Sequence, residues 1–380
     1  MGNDHFIDFA LVMDIEGLHF QPHRPDGIEF KPANDERLRI ILRPTDPVED
    51  ACGHRLGLTC KVFKSLPATE ELVFFVHSYN TQRIIAKVAD NVSLPYKRNG
   101  EILIAEDGSY IQGFHPRRHL CPPEIVSLLE EAESNLANDA NRFISMLRWR
   151  QCCDSPGEVV QSQSLFWRVG DGDYPLAPLE GGTATEGIFK GMFGIHWSET
   201  HSNDLQELWK INEISEPLGH TLLREAATLS TESPRSSILI LYTALETAVK
   251  IHIGKIVPNA SWLMTEVPSP PIFKILRHFI PNVHRNLGNE IDFWVKLQPL
   301  LTQVQTLTEL RNKVAHTGKI PEGAGSIQEK IEVVSDFLYI LDVLDGHEWA
   351  KSLVSSQLRK ELSWPDPTDK RFIIKSMSVE

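Results

Sequence analysis

The feature that most constrains this chain is a double run of helical periodicity between Leu297 and Leu344. Leu300, Val304, Leu307, Leu310 and Val314 recur every three or four positions, which sets them on one helical face. Gly318 follows, where a helix would stop in the left-handed conformation. After a short Pro/Gly loop the period resumes at Ile327, Ile331, Val334, Phe337, Leu338, Leu341 and Leu344. Two apolar-faced helices therefore flank a polar segment that carries Arg311, Asn312 and His316.

Such faces need other helices to cover them, and the chain upstream supplies candidates. Ser233 and Pro234 read as a cap followed by a proline at the first helical position. They open a helix to about Gly254, with Ile238, Leu241, Leu245, Val249 and Ile253 as its buried face. Asp204 to Ser230 gives one or two helices interrupted by Pro217. A Pro-rich connector over 255–288 holds a short helix around Ile272 to Ile280, and Pro299 kinks or starts the next long helix. Residues 203–358 are thus expected to form an antiparallel helical bundle, with 359–380 a tail that is a strand or an arm.

The first 200 residues read differently. HFIDFALVMDI, GLHFQ, RLRIILRP and RLGLTCKVF are short β-branched or aromatic runs separated by Gly, Pro, Asp and Asn. VFFVH, Val73 to His77, suits another buried strand, although the preceding TEEL also suits a helix start. ILIAEDGSYIQGF carries an Asp-Gly pair between strand-like runs, a hairpin signal. One long helix is expected near 122–150, then a strand at SQSLFWRV and a Gly/Pro/Thr-rich loop from Asp171 to Glu186. The fold class is α+β: a β-rich N-terminal domain over 1–200, then an all-α bundle.

Arg-Asn, three residues and His between two amphipathic helices resembles the Arg-x4–6-His signature of the HEPN superfamily, including its apea-like members. The resemblance covers roughly Asn203 to Leu358. Asn312 directly after Arg311, small and apolar residues before His316, and Gly318 after it strengthen the match. Arg277 to His284 meets the looser spacing, but it contains Pro281 in a loop-like HFIPNVH run and is set aside.

The resemblance implies a metal-independent ribonuclease with no cofactor, and a toxin or antiviral-defence role. RNA carries its own nucleophile, the 2′-hydroxyl beside the scissile phosphate. Cleavage needs a proton removed there, a proton given to the departing 5′-oxygen, and charge stabilised on the phosphorane. An imidazole with a pKa near ~6.5 can serve either transfer. A guanidinium fork fits the phosphate oxygens. His316 is then the acid or base, Arg311 the phosphate clamp, and Asn312 the group that orients substrate or imidazole. The resemblance also implies a homodimer in which two motifs meet in one site. A second reading makes Arg311 and His316 cations at a helix C-terminus, favoured by the macrodipole. The bundle is then a non-catalytic module for dimerisation or for binding nucleotides or nucleic acid. A third reading gives the function to the N-terminal domain, as a binder of protein or carbohydrate.

Glu246 and Lys250 stand four apart on the helix opened by Ser233, in the order that favours an ion pair. They are auxiliary site candidates by the resemblance and an ordinary surface pair otherwise. Cys52, His54 and Cys60, or His119 with Cys121, lack zinc-site spacing, so no metal is expected. YKRNG (96–100) and HPRRH (115–119) are basic patches that could touch RNA or be solvated loops. P-loop, GxSxG and Rossmann patterns are absent.

Charge and cysteine usage narrow the setting. A net charge of −13 argues against a protein coated in nucleic acid and leaves room only for a local basic site. Five cysteines, an odd count, point to free thiols in a reducing compartment, hence the cytoplasm. The N-terminus has no basic n-region, its sixth residue Phe6 does not suit myristoylation, and no run approaches ~20 apolar residues, so no membrane is expected.

Overall fold

The computed structural model describes residues 5–15, 19–21, 27–33, 35–44, 58–80, 97–98, 101–102, 118–151, 160–178, 194–196, 199–211, 214–260, 262, 266, 271–286 and 291–366. It is α+β, with an antiparallel sheet in the N-terminal part and a mostly helical C-terminal part. Two compact units divide at Ile214/Ser215, and the second also takes in 145–151.

In the first unit, β1 (His5–Ile15) is central. It pairs antiparallel with β5 (Leu58–Ala68) and β8 (Val160–Arg168), while β4 (Arg39–Pro44) and β3 (Ile28–Phe30) extend the β5 side. Alternation sets the faces: Ile7, Phe9, Leu11, Met13 and Ile15 are buried. On the other face, Ser65 and Arg168, both opposite Asp8 in register, bond its carboxylate at 2.5 and 3.1 Å. A short parallel pair, β2 (His19–Gln21) with β9 (Gly194–His196), and the two-residue β6 (Lys97–Arg98) with β7 (Glu101–Ile102) complete the strands described. The expected Asp-Gly hairpin lies otherwise outside the described residues.

Three helices belong with this sheet. VFFVH is not a strand: it lies in α1 (Glu70–Asn80). The Thr69 hydroxyl accepts from the Leu72 amide at 3.3 Å, and Phe75, Val76 and Tyr79 fall on one buried face. That cap and spacing outweigh the strand preference of a four-residue apolar run. Helix α2 (Pro123–Gln151) buries Leu129, Ala132, Leu136, Ala140 and Phe143, with Phe143 between Phe30 (4.8 Å) and Trp209 (5.4 Å). Trp209 lies on α3 (Glu199–Lys210). The chain therefore leaves this unit after α3, not near residue 200.

The second unit contains α4 (Leu218–Thr228), α5 (Pro234–Ile256), a short helix Ile272–Lys274 running through a π-helical turn Ile275–Phe279 into α6 (Ile280–Asn286), then α7 (Ile291–Lys296), α8 (Gln298–Thr317), α9 (Ile327–Leu344) and α10 (Ser356–Leu362). The expected faces of α5, α8 and α9 pack together around Leu241, Leu245, Val304, Leu307, Val334 and Phe337. Pro299 starts α8, and Gly318 ends it with φ 65°. HFIPNVH is helical rather than a loop. Pro281 sits just behind the π-helical turn, where the ladder has left the i−4 register that an interior proline disrupts. Ser233 occupies the α5 cap position, but its hydroxyl donates to Ser236 instead of capping. By length and composition α5 is long and apolar enough to cross a membrane, alone among the described residues, and half of that window is buried in the protein.

Helix α4 crosses α5 through Gly219, where an added Cβ would stand 3.0 Å from the Ala248 Cβ and 3.2 Å from the Ala244 carbonyl oxygen. Gly219→Val should therefore cost about 1–3 kcal/mol by overpacking. A shift of the urea midpoint checks it, and an unchanged midpoint would mean that the two helices do not approach so closely.

Candidate functional site

The motif sits where α5 and α8 pack antiparallel. Rising along α5, Arg235 Nη1 donates to the Gly318 carbonyl at 3.0 Å, and Ile238 packs on Leu310 and Val314. One turn further, the Arg311 guanidinium lies 5.0 Å over the Tyr242 ring. A cation on an aromatic face contributes ~0.5–1 kcal/mol at an exposed site. Arg311 Nη1 also donates to Asn312 Oδ1 at 3.2 Å. Asn312 and His316, four apart, share an exposed face of α8. Arg311 stands about 140° around the helix from His316 and ~7.5 Å along it.

Among the described hydrogen bonds none runs from Arg311 or His316 to a helix carbonyl, and His316 lies in the last turn. Around that end the Gly318 amide donates to the Val314 carbonyl (2.8 Å), Thr317 Oγ1 to Lys313 (2.7 Å) and Arg235 to Gly318. The side chain of His316 is exposed. Arg235, Arg311, Lys313 and Lys319 gather at this end of α8, and no acidic residue stands between Glu309 and Glu322, which bound the stretch. A locally basic end thus stands out on an acidic chain.

Glu246 and Lys250 do not form a surface pair. Lys250 Nζ lies 2.9 Å from Glu246 Oε1, with only 12% and 11% of the side chains exposed. Tyr242, Glu246 and Lys250 follow at four-residue steps on one face of α5. The Tyr242 phenol is pushed up by burial and then by the Glu246 charge, against a Thr308 hydrogen bond and Arg311. The structure so joins Arg311 to Glu246 through Tyr242, which the sequence reading missed. Its signal was there, one turn before Glu246. His316 is not brought to Glu246, because in the antiparallel register Glu246 lies more than two turns away along α8.

A second polar group was also missed. His252 Nδ1 lies 2.6 Å from Asp345 Oδ1, and Lys255 Nζ bonds the other oxygen. His252 Nε2 lies 3.0 Å from His284 Nε2, and His284 packs beside Trp294. The Asp345 carboxylate accepts a hydrogen bond from His252 Nδ1. Burial opposes the Asp345 charge, but the His252 and Lys255 bonds outweigh it and hold that carboxyl below its ordinary range. Nearby, Asp342 Oδ2 accepts from Trp149 Nε1 (2.8 Å) and meets His220 Nε2 at 2.9 Å. Both imidazoles of the His252–His284 pair are buried, so this is a structural network rather than a substrate site.

Among the described residues no cluster of three or more His, Cys, Asp or Glu could hold a metal ion. Cys60 and Cys121 are buried thiols, each pushed up to about 12 chiefly by burial, so neither is a ready thiolate. Cys52 and His54 lie outside the described residues. Of the basic patches, Arg118 is buried against Glu133 (2.7 Å) and the Pro178 carbonyl, and so is structural rather than an RNA contact. Comparison with protein-family models, curated proteins and solved structures found no match to this chain.

The histidine pair carries a pH prediction. Burial first, then the His252 charge, push His284 below its ordinary value, and burial does the same to His347. The unfolded chain therefore binds more protons. Their stability contribution is full above the unfolded value of ~6.5 and is lost as pH falls from there toward the folded values. Asp345 acts only in a more acid window. The denaturant midpoint should drop between about pH 7.5 and about pH 5.5. The drop should be shallower in His284→Gln. His284→Ala should also cost about 1–3 kcal/mol by orphaning His252. A pH-independent midpoint would contradict the network.

Proposed function

We propose that the second unit is a HEPN-type bundle that cleaves RNA without a metal, acting as a homodimer in a toxin or defence setting in the cytoplasm. The observation that carries this reading is the end of α8. Arg311 is held on Tyr242, the neighbouring Asn312 shares an exposed face with His316, and four cations gather at that end of the helix. A phosphodiester could reach this surface without unpacking the core.

In the proposed reaction the 2′-oxygen attacks phosphorus and the bond to the 5′-oxygen breaks. One imidazole takes the 2′ proton, and a second group protonates the leaving oxygen. The products are a 2′,3′-cyclic phosphate and a 5′-hydroxyl. Arg311, always charged and planar, would neutralise the phosphorane oxygens. Each protomer offers one exposed imidazole at this surface, so a two-fold axis bringing two α8 ends together would supply both proton-transfer groups. Tyr242, Glu246 and Lys250 would be positioning residues that hold the Arg311 plane.

His316→Ala should lower RNA cleavage in EDTA by about 10²–10⁴-fold. Its melting temperature should stay close to that of the parent, because the side chain is exposed and bonds nothing described. Arg311→Lys should be strongly impaired, since an ammonium keeps the charge but loses the fork and the stack on Tyr242. A parent that never cleaves RNA, or a His316→Ala protein that cleaves like it, would return the bundle to the non-catalytic interaction reading. A strictly monomeric state at micromolar concentration would count against the shared site.

A further inference from the structure

The His252–His284 contact joins α5 to α6, the short helix that follows the π-helical turn. The two buried rings stack with centroids 5.3 Å apart and planes within 11°. Beside this contact α6 stands back from α5. A groove of about 630 Å³ is lined by Ile253 on the α5 side and by Ile275, Phe279 and Asn282 on the other. Leu276 and Ile280, both fully buried, anchor the start of α6. The turn between them has the wider π-helical ladder, a place where helices bend. A pin, a gap and a hinge thus meet at one helix of seven residues. Elements with little packing on one side open locally at low cost.

The pin depends on a single proton. An imidazole nitrogen that carries a proton donates, and one that lacks it accepts. The two Nε2 atoms, 3.0 Å apart, are bonded while one proton lies between them. A second proton would set two N–H groups against each other and place positive charge between buried rings. Asp345, just past α9, faces His252, but Lys255 already bonds its other carboxylate oxygen and is itself a like charge. From α7, Trp294 faces His284 with a neutral ring. His347 lies further along, within electrostatic reach of Asp342, Asp345 and Lys255.

We propose that this contact is an acid-released latch: with a second proton the two Nε2 atoms part, and α6 turns about the π-helical segment away from α5, while α5, α8 and α9 stay packed. Released, His284 leaves its buried place beside Trp294, and the groove widens between Ile253 and Asn282. The latch makes the shape of the second unit respond to pH, whether or not the α8 motif cleaves RNA. Burial first, then the His252 charge, hold His284 below its ordinary value, with Asp345 opposing. In water the freed imidazole binds its proton near ~6.5. Closure is therefore favoured above that value and weakens as pH falls below it toward the folded value.

Hydrogen exchange of the full chain, read by mass spectrometry on peptides of 275–286, 298–317 and 327–344, separates local release from global loss. Corrected for the intrinsic rate, exchange in 275–286 should speed up about three- to ten-fold between about pH 7 and about pH 5.5, the linkage of one proton. The α8 and α9 peptides should keep their protection. His284→Phe keeps a ring beside His252 and Trp294 but has no proton to gain, so its α6 exchange should not respond to pH in this range. His284→Gln keeps a polar partner for His252 and should behave likewise; it is the second probe should the phenylalanine variant not fold. An α6 rate that ignores pH in the parent overturns the latch. So does equal speeding of the α8 and α9 peptides, or a variant whose α6 responds to pH as the parent's does.

Discussion

The antiparallel contact between α5 and α8 is the constraint on which the second unit depends. Ile238 against Leu310 and Val314 fixes the register of the two helices. That register then decides every polar neighbour: Arg235 reaches the Gly318 carbonyl, and Arg311 lands on Tyr242. A slip of one turn would move Arg311 off the ring and leave the end of α8 without its cation. The apolar stripe therefore positions Arg311 against Tyr242. At the end of α8 the left-handed Gly318 stops the helix and its carbonyl takes Arg235, while His316 stands exposed in the last turn.

A different kind of constraint holds the far end of α5. There the helices meet through buried polar groups, with Asp345 linking His252 and Lys255, and Asp342 linking Trp149 and His220. Each buried polar atom in such a network costs free energy if its partner is lost, so the Asp345 contacts specify how α9 sits on α5, and the His220–Asp342 contact how it sits on α4, more sharply than apolar packing alone. The same helices thus have an apolar-packed end with basic side chains on its surface and an end interlocked by buried polar groups.

Much of this was legible because periodicity is a direct consequence of burial. The strand His5–Ile15 and the helix with Pro299 near its start and Gly318 at its end announce their own limits. VFFVH did not, since a short apolar run fits either period and Thr69 decided it. HFIPNVH was obscured by a proline whose cost the π-helical turn removes. The Arg311–His316 spacing could be read, but its neighbour Tyr242 could not be singled out from α5's other large residues without the register between helices. The buried histidines were hidden for a related reason: periodicity tells which face is inside, not which polar residues of distant segments meet there.

The most direct test of RNA cleavage by 2′-hydroxyl attack is an end-group and substitution measurement on one defined substrate. An RNA cut by the purified parent in EDTA should carry a 2′,3′-cyclic phosphate and a 5′-hydroxyl. The same RNA with a single 2′-deoxy nucleotide at the cut position should survive there. Cleavage at the deoxy position, or a 5′-phosphate on the product, would require a water nucleophile and would contradict the mechanism assigned to Arg311 and His316.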